Sequence, residues 1–188
     1  EDIMVHYDMT VRNNKNKRYY SGKVTEGNLH RNDEIVIYPS MEKNYIKDIF
    51  SGKVKISNTF NNKSISFTTK KETDLSRGSI IAKKNKYIFS ANSLLVRLVI
   101  IEAESLYVGR IYSFYRAGIT CDVKINNIKQ RFDFDKFDYL ETNKIGKNYI
   151  IEIEISFLEM LFHTSYLDNK TLGSFILIDK ITKKIISS

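Results

Sequence analysis

The chain has 188 residues, 42% of them hydrophobic and 12% aromatic, with 30 Lys or Arg against 22 Asp or Glu for a formal charge of +8. This length and apolar content fill the core of one large or two small domains and exclude a disordered chain. The longest apolar run, Leu94 to Ile101, is broken by Arg97 and falls short of the roughly 20 residues that span a bilayer, so no integral membrane protein is expected.

Glu1-Asp2-Ile3 is acidic where a secretory signal begins basic, so no signal peptide is expected; the abrupt start suits an excised fragment as readily as a natural terminus. The single Cys121 excludes an internal disulfide and a cysteine-only metal cluster, which fits a reducing compartment, with the cytoplasm as the expected location. Residues 1–90 hold 17 basic against 10 acidic side chains, the remainder 13 against 12. Such a field attracts nucleic acid, an acidic partner or an anionic substrate, although scattered lysines also simply decorate solvent faces.

Val5, Tyr7, Met9 and Val11 alternate with His6, Asp8, Thr10 and Arg12, which predicts a half-buried strand. Short β-rich runs follow at Tyr19–Val24, Glu34–Tyr38, Asn44–Phe50, Ser64–Thr68 and Ser79–Ala82. After the polar run Lys83-Lys84-Asn85-Lys86 a second series begins at Leu94–Ile101, Arg110–Tyr115 and Thr120–Ile128, continues with the alternating Tyr149–Ile155, and ends at Ser174–Ile181. The one helical candidate is Ser156–His163. Many short strands separated by turn residues predict an all-β fold of two tandem small β-barrels, modules 1–88 and 89–188, with a single large sandwich as the alternative.

Chemistry is sparse. Gly22-Lys23, Gly52-Lys53 and Gly146-Lys147 are followed by no hydroxyl residue and preceded by no glycine at the spacing of a phosphate-binding loop, so this chain alone is not expected to bind GTP. His6, His30 and His163 are far apart, Cys121 has no partner by spacing, and no catalytic, cofactor-binding or metal-ligating residue is assigned. In Phe132-Asp-Phe-Asp-Lys-Phe-Asp138, Asp133 and Asp135 would share one strand face, either as oxygen ligands for a hard cation or as a solvated face with Phe132 and Phe134 inward. The basic-aromatic runs Lys17-Arg-Tyr-Tyr20 and Tyr112–Arg116 suit either a stacking platform for single-stranded nucleic acid or ordinary amphipathic barrel tyrosines.

Arg18-x-Tyr20-x-Gly22, Gly27, Asp33-Glu34 and Pro39-Ser40 resemble the opening barrel of translation-factor-like GTPases. Asp74-x-Ser76-Arg77-Gly78, then Leu106-x-x-Gly109-x-x-Tyr112, Asn143-Lys-Ile-Gly146 and Tyr166-x-Asp168-Asn169 through Gly173-Ser-Phe175-Ile-Leu-Ile-Asp179 sharpen the likeness. Together they resemble the GTPase subunit of bacterial ATP sulfurylase (sulfate adenylyltransferase subunit 1) in its C-terminal two-barrel region, domains 2 and 3 of the elongation factor Tu-like plan, without the GTP-binding domain. Two departures are the lack of tryptophan and an ending at Ile186-Ser-Ser188 rather than Gly-Ala-Gly-Met-Ile.

The resemblance implies a non-catalytic fragment of a nucleotidyltransferase of sulfate assimilation. In that enzyme GTP hydrolysis drives formation of adenosine 5′-phosphosulfate from ATP and sulfate in a separate catalytic subunit. The barrels would serve as lever and docking surface, GTP and magnesium would belong only to an upstream domain, and the partners would be that domain and the catalytic subunit. Asp74, Ser76, Arg77, Gly78, Tyr166, Asp168, Asn169, Gly173, Phe175 and Asp179 are the expected interdomain or subunit contacts; the other reading of Arg77 is a turn-locking arginine. Phe175 to Ile178 is expected to be buried on both faces, with Gly173 permitting close approach at its start. A barrel pair binding RNA is the rival reading, and a standalone enzyme acting on phosphate or sulfate esters the weakest.

Overall fold

A computed structural model describes residues 3–14, 16–83, 88–102, 106–141 and 145–188. The chain folds into two compact units, one of Glu1–Ile88 with Thr164–Gly173, the other of Phe89–His163 with Ser174–Ser188. The segment 164–173, which interrupts the second series of strands in sequence, thus packs with the first unit. Lys84, Asn85 and Lys86 of the expected boundary, and Asn143 and Lys144 of one motif, lie outside the described residues.

The first unit contains β1 (Met4–Arg12), β2 (Arg18–Glu26), β3 (Leu29–His30), β4 (Glu34–Tyr38), β5 (Glu42–Ser51), β6 (Val54–Ile56), β7 (Asn58–Thr59), β8 (Ser64–Thr69) and β9 (Ile80–Lys83). Its main sheet runs β4-β9-β1-β2-β8-β5, and β5 pairs back onto β4, closing a six-stranded antiparallel barrel with no free edge along that ring. Tyr20, Ile35, Ile46, Ile49 and Phe67 fill its interior at 1% exposure or less. The ring closes tightly where β1 meets β2: a Cβ on Gly22 would lie 2.3 Å from the His6 carbonyl oxygen.

β1 departs from its expected alternation. Met4 to Tyr7 are all buried, whereas Met9 and Val11 are exposed. A register shift between Tyr7 and Met9 separates the halves, and only the first half is paired on both sides, to β2 and β9. Among the described residues the rest of β1 pairs with β2 alone.

The second unit contains β10 (Phe89–Val99), β11 (Ile111–Arg116), β12 (Ile119–Asp133), β13 (Asp138–Leu140), β14 (Ile150–His163), β15 (Ile176–Asp179) and β16 (Ile185–Ser187). The order β10-β14-β12-β11-β15-β16 curls into a half-barrel. Its ends are tied by an Ile100–Ser187 bridge and by paired hydrogen bonds between Val99 and Ser188 (2.9 and 3.2 Å). Phe114, Val123, Ile125, Ile151, Ile153 and Leu177 form the core.

Three expectations are corrected here. Ser156–His163 is not a helix but the second half of β14. Pairing with β10 jumps from Ser93↔Ser156 to Ala91↔Leu161, so residues 157–160 bulge. The bulge leaves Phe157 and Leu161 buried four residues apart, a spacing that imitates a helix face.

Asp133 and Asp135 do not share a strand face. β12 ends at Asp133, whose Oδ1 accepts from the Asp135 (2.9 Å) and Lys136 (3.1 Å) amides, and Phe134 is exposed rather than inward. Finally, β15 is not buried on both faces: Leu177 and Asp179 are buried, but Ile176 and Ile178 only half so, because a single-layer barrel wall has one inner face.

Candidate functional site

The Asp74–Gly78 motif closes a loop between β8 and β9 that β2 and β5 hold in place. Tyr20, near the middle of β2, donates its hydroxyl to the Thr73 carbonyl at 2.8 Å and accepts from the Thr73 amide at 3.0 Å. Asn44 does the same for Lys71, donating to its carbonyl at 2.9 Å and accepting from its amide at 3.2 Å. Arg18 donates to Asp74 Oδ1 at 2.6 Å and lies 3.4 Å from Glu72; the bond to Asp74 comes first among the causes that raise its pKa above the ordinary arginine value.

The turn is then completed locally. The Ser79 amide donates to the Ser76 carbonyl at 2.9 Å, Gly78 takes φ +89°, and the Gly78 amide donates to the Tyr7 carbonyl at 3.3 Å. Arg77 is exposed and makes no hydrogen bond or ion pair among the described residues. A fixed turn therefore displays a free guanidinium, while the turn is locked by Arg18 and Gly78 instead.

The segment 165–173 also belongs to the first unit. The Ser165 hydroxyl donates to Asp168 at 2.6 Å and accepts from the Asp168 amide at 3.1 Å. Buried Asn169 caps the single helical turn α1 (Lys170–Gly173), accepting from the Leu172 amide at 3.0 Å. Its Nδ2 donates to Thr25 Oγ1 at 3.0 Å and lies 3.5 Å from Met4 Sδ, so one side chain both shapes the turn and seats it on β1 and β2. Tyr166 and Leu167 remain exposed, Leu167 at 91%.

In the second unit Asp179 is fully buried and pairs with Arg110 Nη2 at 2.6 Å. Its Oδ1 accepts from the Thr182 (2.9 Å) and Ile181 (2.7 Å) amides, and these bonds, with Arg110 beside them, hold its pKa below the ordinary carboxylate value against the opposing effect of desolvation. The Arg110 guanidinium lies 5.6 Å from the Tyr112 ring centre and 5.8 Å from that of Tyr107. Tyr112 and Asp179 are direct cross-strand partners, which joins the Leu106–Tyr112 motif to the end of the Tyr166–Asp179 motif. Phe175 stacks on Phe114 at 4.6 Å.

Sequence reasoning missed Arg18 and Arg110. Arg18 stood in a quoted motif, and acidic Glu72 and Asp74 were its available signal; Arg110 gave none, because its pairing depends on β11 meeting β15 across 60-odd residues of chain. The Tyr112–Arg116 run is not a stacking platform: Tyr112, Phe114 and Arg116 all face the core. Burial lowers the Arg116 pKa to about 10, and its Nη2 donates to the Phe162 carbonyl at 2.7 Å. At Lys17–Tyr20 only Tyr19 remains available, edge-to-face with Phe50 at 5.5 Å and under Lys17 at 5.4 Å.

Gly22-Lys23 lies within β2, Gly52-Lys53 in the β5–β6 hairpin and Gly146-Lys147 in a turn before β14; none stands between a strand and a helix, where a phosphate loop must. Among the described residues no helix is long and apolar enough to cross a membrane.

A closed six-stranded barrel with a curled half-barrel defines the class of elongation factor Tu-like proteins, at their domains 2 and 3. Solved structures share this fold across the whole chain: Sup35 complexed with GDP (TM-score 0.85, 12% identity, 46% of that chain) and the translation elongation factor SelB from Methanococcus maripaludis in apo form (TM-score 0.77, 9%, 41%). More narrowly, the family model described as GTP-eEF1A C-terminal domain-like matches residues 93–187, and the chain belongs to that family.

Among curated relatives, sulfate adenylyltransferase subunit 1 of Aliarcobacter butzleri is 28% identical over 98% of this chain and 40% of its own length. The same subunit of Psychromonas ingrahamii is 25% identical over 94% and 38%, and the bifunctional enzyme CysN/CysC of Rhodopirellula baltica 22% over 100% and 29%. The resemblance drawn from the motifs holds. The chain spans 40% or less of the length of these relatives.

Proposed function

We propose that the chain is the two-barrel region of a sulfate adenylyltransferase subunit 1 and works as lever and docking surface for a separate catalytic subunit. That subunit would join ATP and sulfate into adenosine 5′-phosphosulfate and pyrophosphate, driven by GTP hydrolysis in a nucleotide-binding domain upstream. GTP and magnesium belong to that domain, the bond-making to the catalytic subunit, and the whole to the cytoplasm. The observation that carries this reading is the match of nearly the entire chain to one part of relatives bearing that name.

Transmission of a nucleotide state needs a body with two sets of contacts and little internal give. The closed ring of the first barrel and the tied ends of the second supply stiffness. Arg77, displayed from a fixed turn, supplies a directional contact suited to a carboxylate. Mixing the chain with a catalytic subunit and measuring the mass of the product by light scattering tests the reading. A stable complex that neither hydrolyses GTP nor forms adenylyl sulfate without the upstream domain is expected; turnover by the isolated chain, or no complex, would overturn it.

RNA binding is the second reading, favoured by Tyr19, Phe50 and Lys17 beside Arg31 and Lys55, which meet Asp48 at 3.4 and 2.7 Å. One carboxylate facing several cations leaves a local positive surplus. If RNA is the partner, the affinity falls steeply between low and physiological salt, because each phosphate contact releases counterions; gel shifts across a salt series check this.

A further inference from the structure

The loop from Phe134 to Phe137 that joins β12 to β13 is costly on its own terms. Asp133 and Asp138 are direct cross-strand partners, so like charges face each other. Phe137 takes φ +52°, a left-handed conformation that a bulky side chain rarely adopts, and holds its ring 80% exposed; Phe134 is 55% exposed.

The loop is nevertheless braced. Asp133 caps two loop amides, and half-buried Phe132 meets Phe134, Phe137 and Tyr139 edge-on at 5.1, 6.3 and 5.3 Å. Strain and exposed aromatic area held in one arrangement characterise a surface kept for a partner, since pre-ordered rings lose little entropy on binding. Charge narrows the partner: residues 133–138 carry three Asp and one Lys on a chain of net charge +8. Arg131 lies 3.8 Å from Asp133, while Asp135 and Asp138 have no ion pair among the described residues.

We propose that this hairpin tip is a docking element whose Phe134 and Phe137 rings enter an apolar pocket rimmed by Lys or Arg on a partner protein. Resting on the function proposed above, that partner is the catalytic subunit. The test titrates that subunit with the wild-type chain, a Phe134→Ala/Phe137→Ala variant and an Asp135→Asn/Asp138→Asn variant, by calorimetry and stopped flow over a salt series. Expected are wild-type binding, affinity about tenfold lower or worse for the phenylalanine variant, and slower, less salt-sensitive association for the aspartate variant.

Wild-type binding with both variants unchanged overturns the docking proposal alone; a wild-type chain that binds no catalytic subunit overturns it together with the function it rests on. Sedimentation of each chain by itself adds one more outcome. A wild-type dimer that the phenylalanine variant loses would make a second copy the occupant and also overturn it. The aspartate variant, altered only at exposed positions, keeps the question answerable if the phenylalanine variant does not fold.

Discussion

At Gly173 a methyl group in place of hydrogen would lie 2.4 Å from the Tyr166 Cα and 2.5 Å from the Tyr166 nitrogen, backbone atoms that cannot swing aside. Gly173→Ala therefore forces 165–173 to move, and urea denaturation should show a loss of about 2 kcal/mol. Asn169→Ala removes the cap of α1 and the bond to Thr25 together; about 1 to 2 kcal/mol is expected in the same measurement. Arg77→Ala differs in kind. With no partner to lose among the described residues, it should leave the unfolding midpoint within about 0.5 kcal/mol of wild type while weakening the proposed complex with a catalytic subunit. Unchanged binding would leave Arg77 as an ordinary surface residue.

At the scale of elements, β15 and the turn after it owe their seat to Asp179. Because its pKa in the folded chain lies below that of the unfolded chain, the stabilisation is complete above the ordinary carboxylate value of about 4 and fades as pH falls through the folded value. Thermal unfolding from pH 7 down to pH 2 should show this. Asp179→Asn should melt lower at pH 7 and decline less steeply in acid, the remaining slope belonging to groups such as Asp48 and Asp133, whose pKa values are also lowered.

Most strands were legible, since alternation and turn residues are local signals: β4 was read residue for residue at Glu34–Tyr38. What stayed hidden depends on strands distant in the chain. The bulge that turned half of β14 into an apparent helix exists only against β10, and the exposure of Met9 and Val11 follows from where β9 stops. The candidate site divides similarly. The Asp74–Gly78 turn was visible through its short polar residues and glycine, whereas Arg110 opposite Asp179 needed the β11–β15 register.

For the molecule as a whole, the positive surplus in residues 1–90 and the acidic tip at 133–138 are local fields of opposite sign on one chain. A partner that reads both must carry both signs, and its association with the chain should slow as ionic strength rises.

Met4 lies beneath Asn169 with no exposed surface, while Met9, Met41 and Met160 are each more than half exposed. Sulfoxide formation follows access to peroxide. Three thioethers should thus gain oxygen at once and one only as fast as the Asn169 segment lifts, so peptide mass spectrometry of the peroxide-treated chain times a motion no spectroscopic label would need to report.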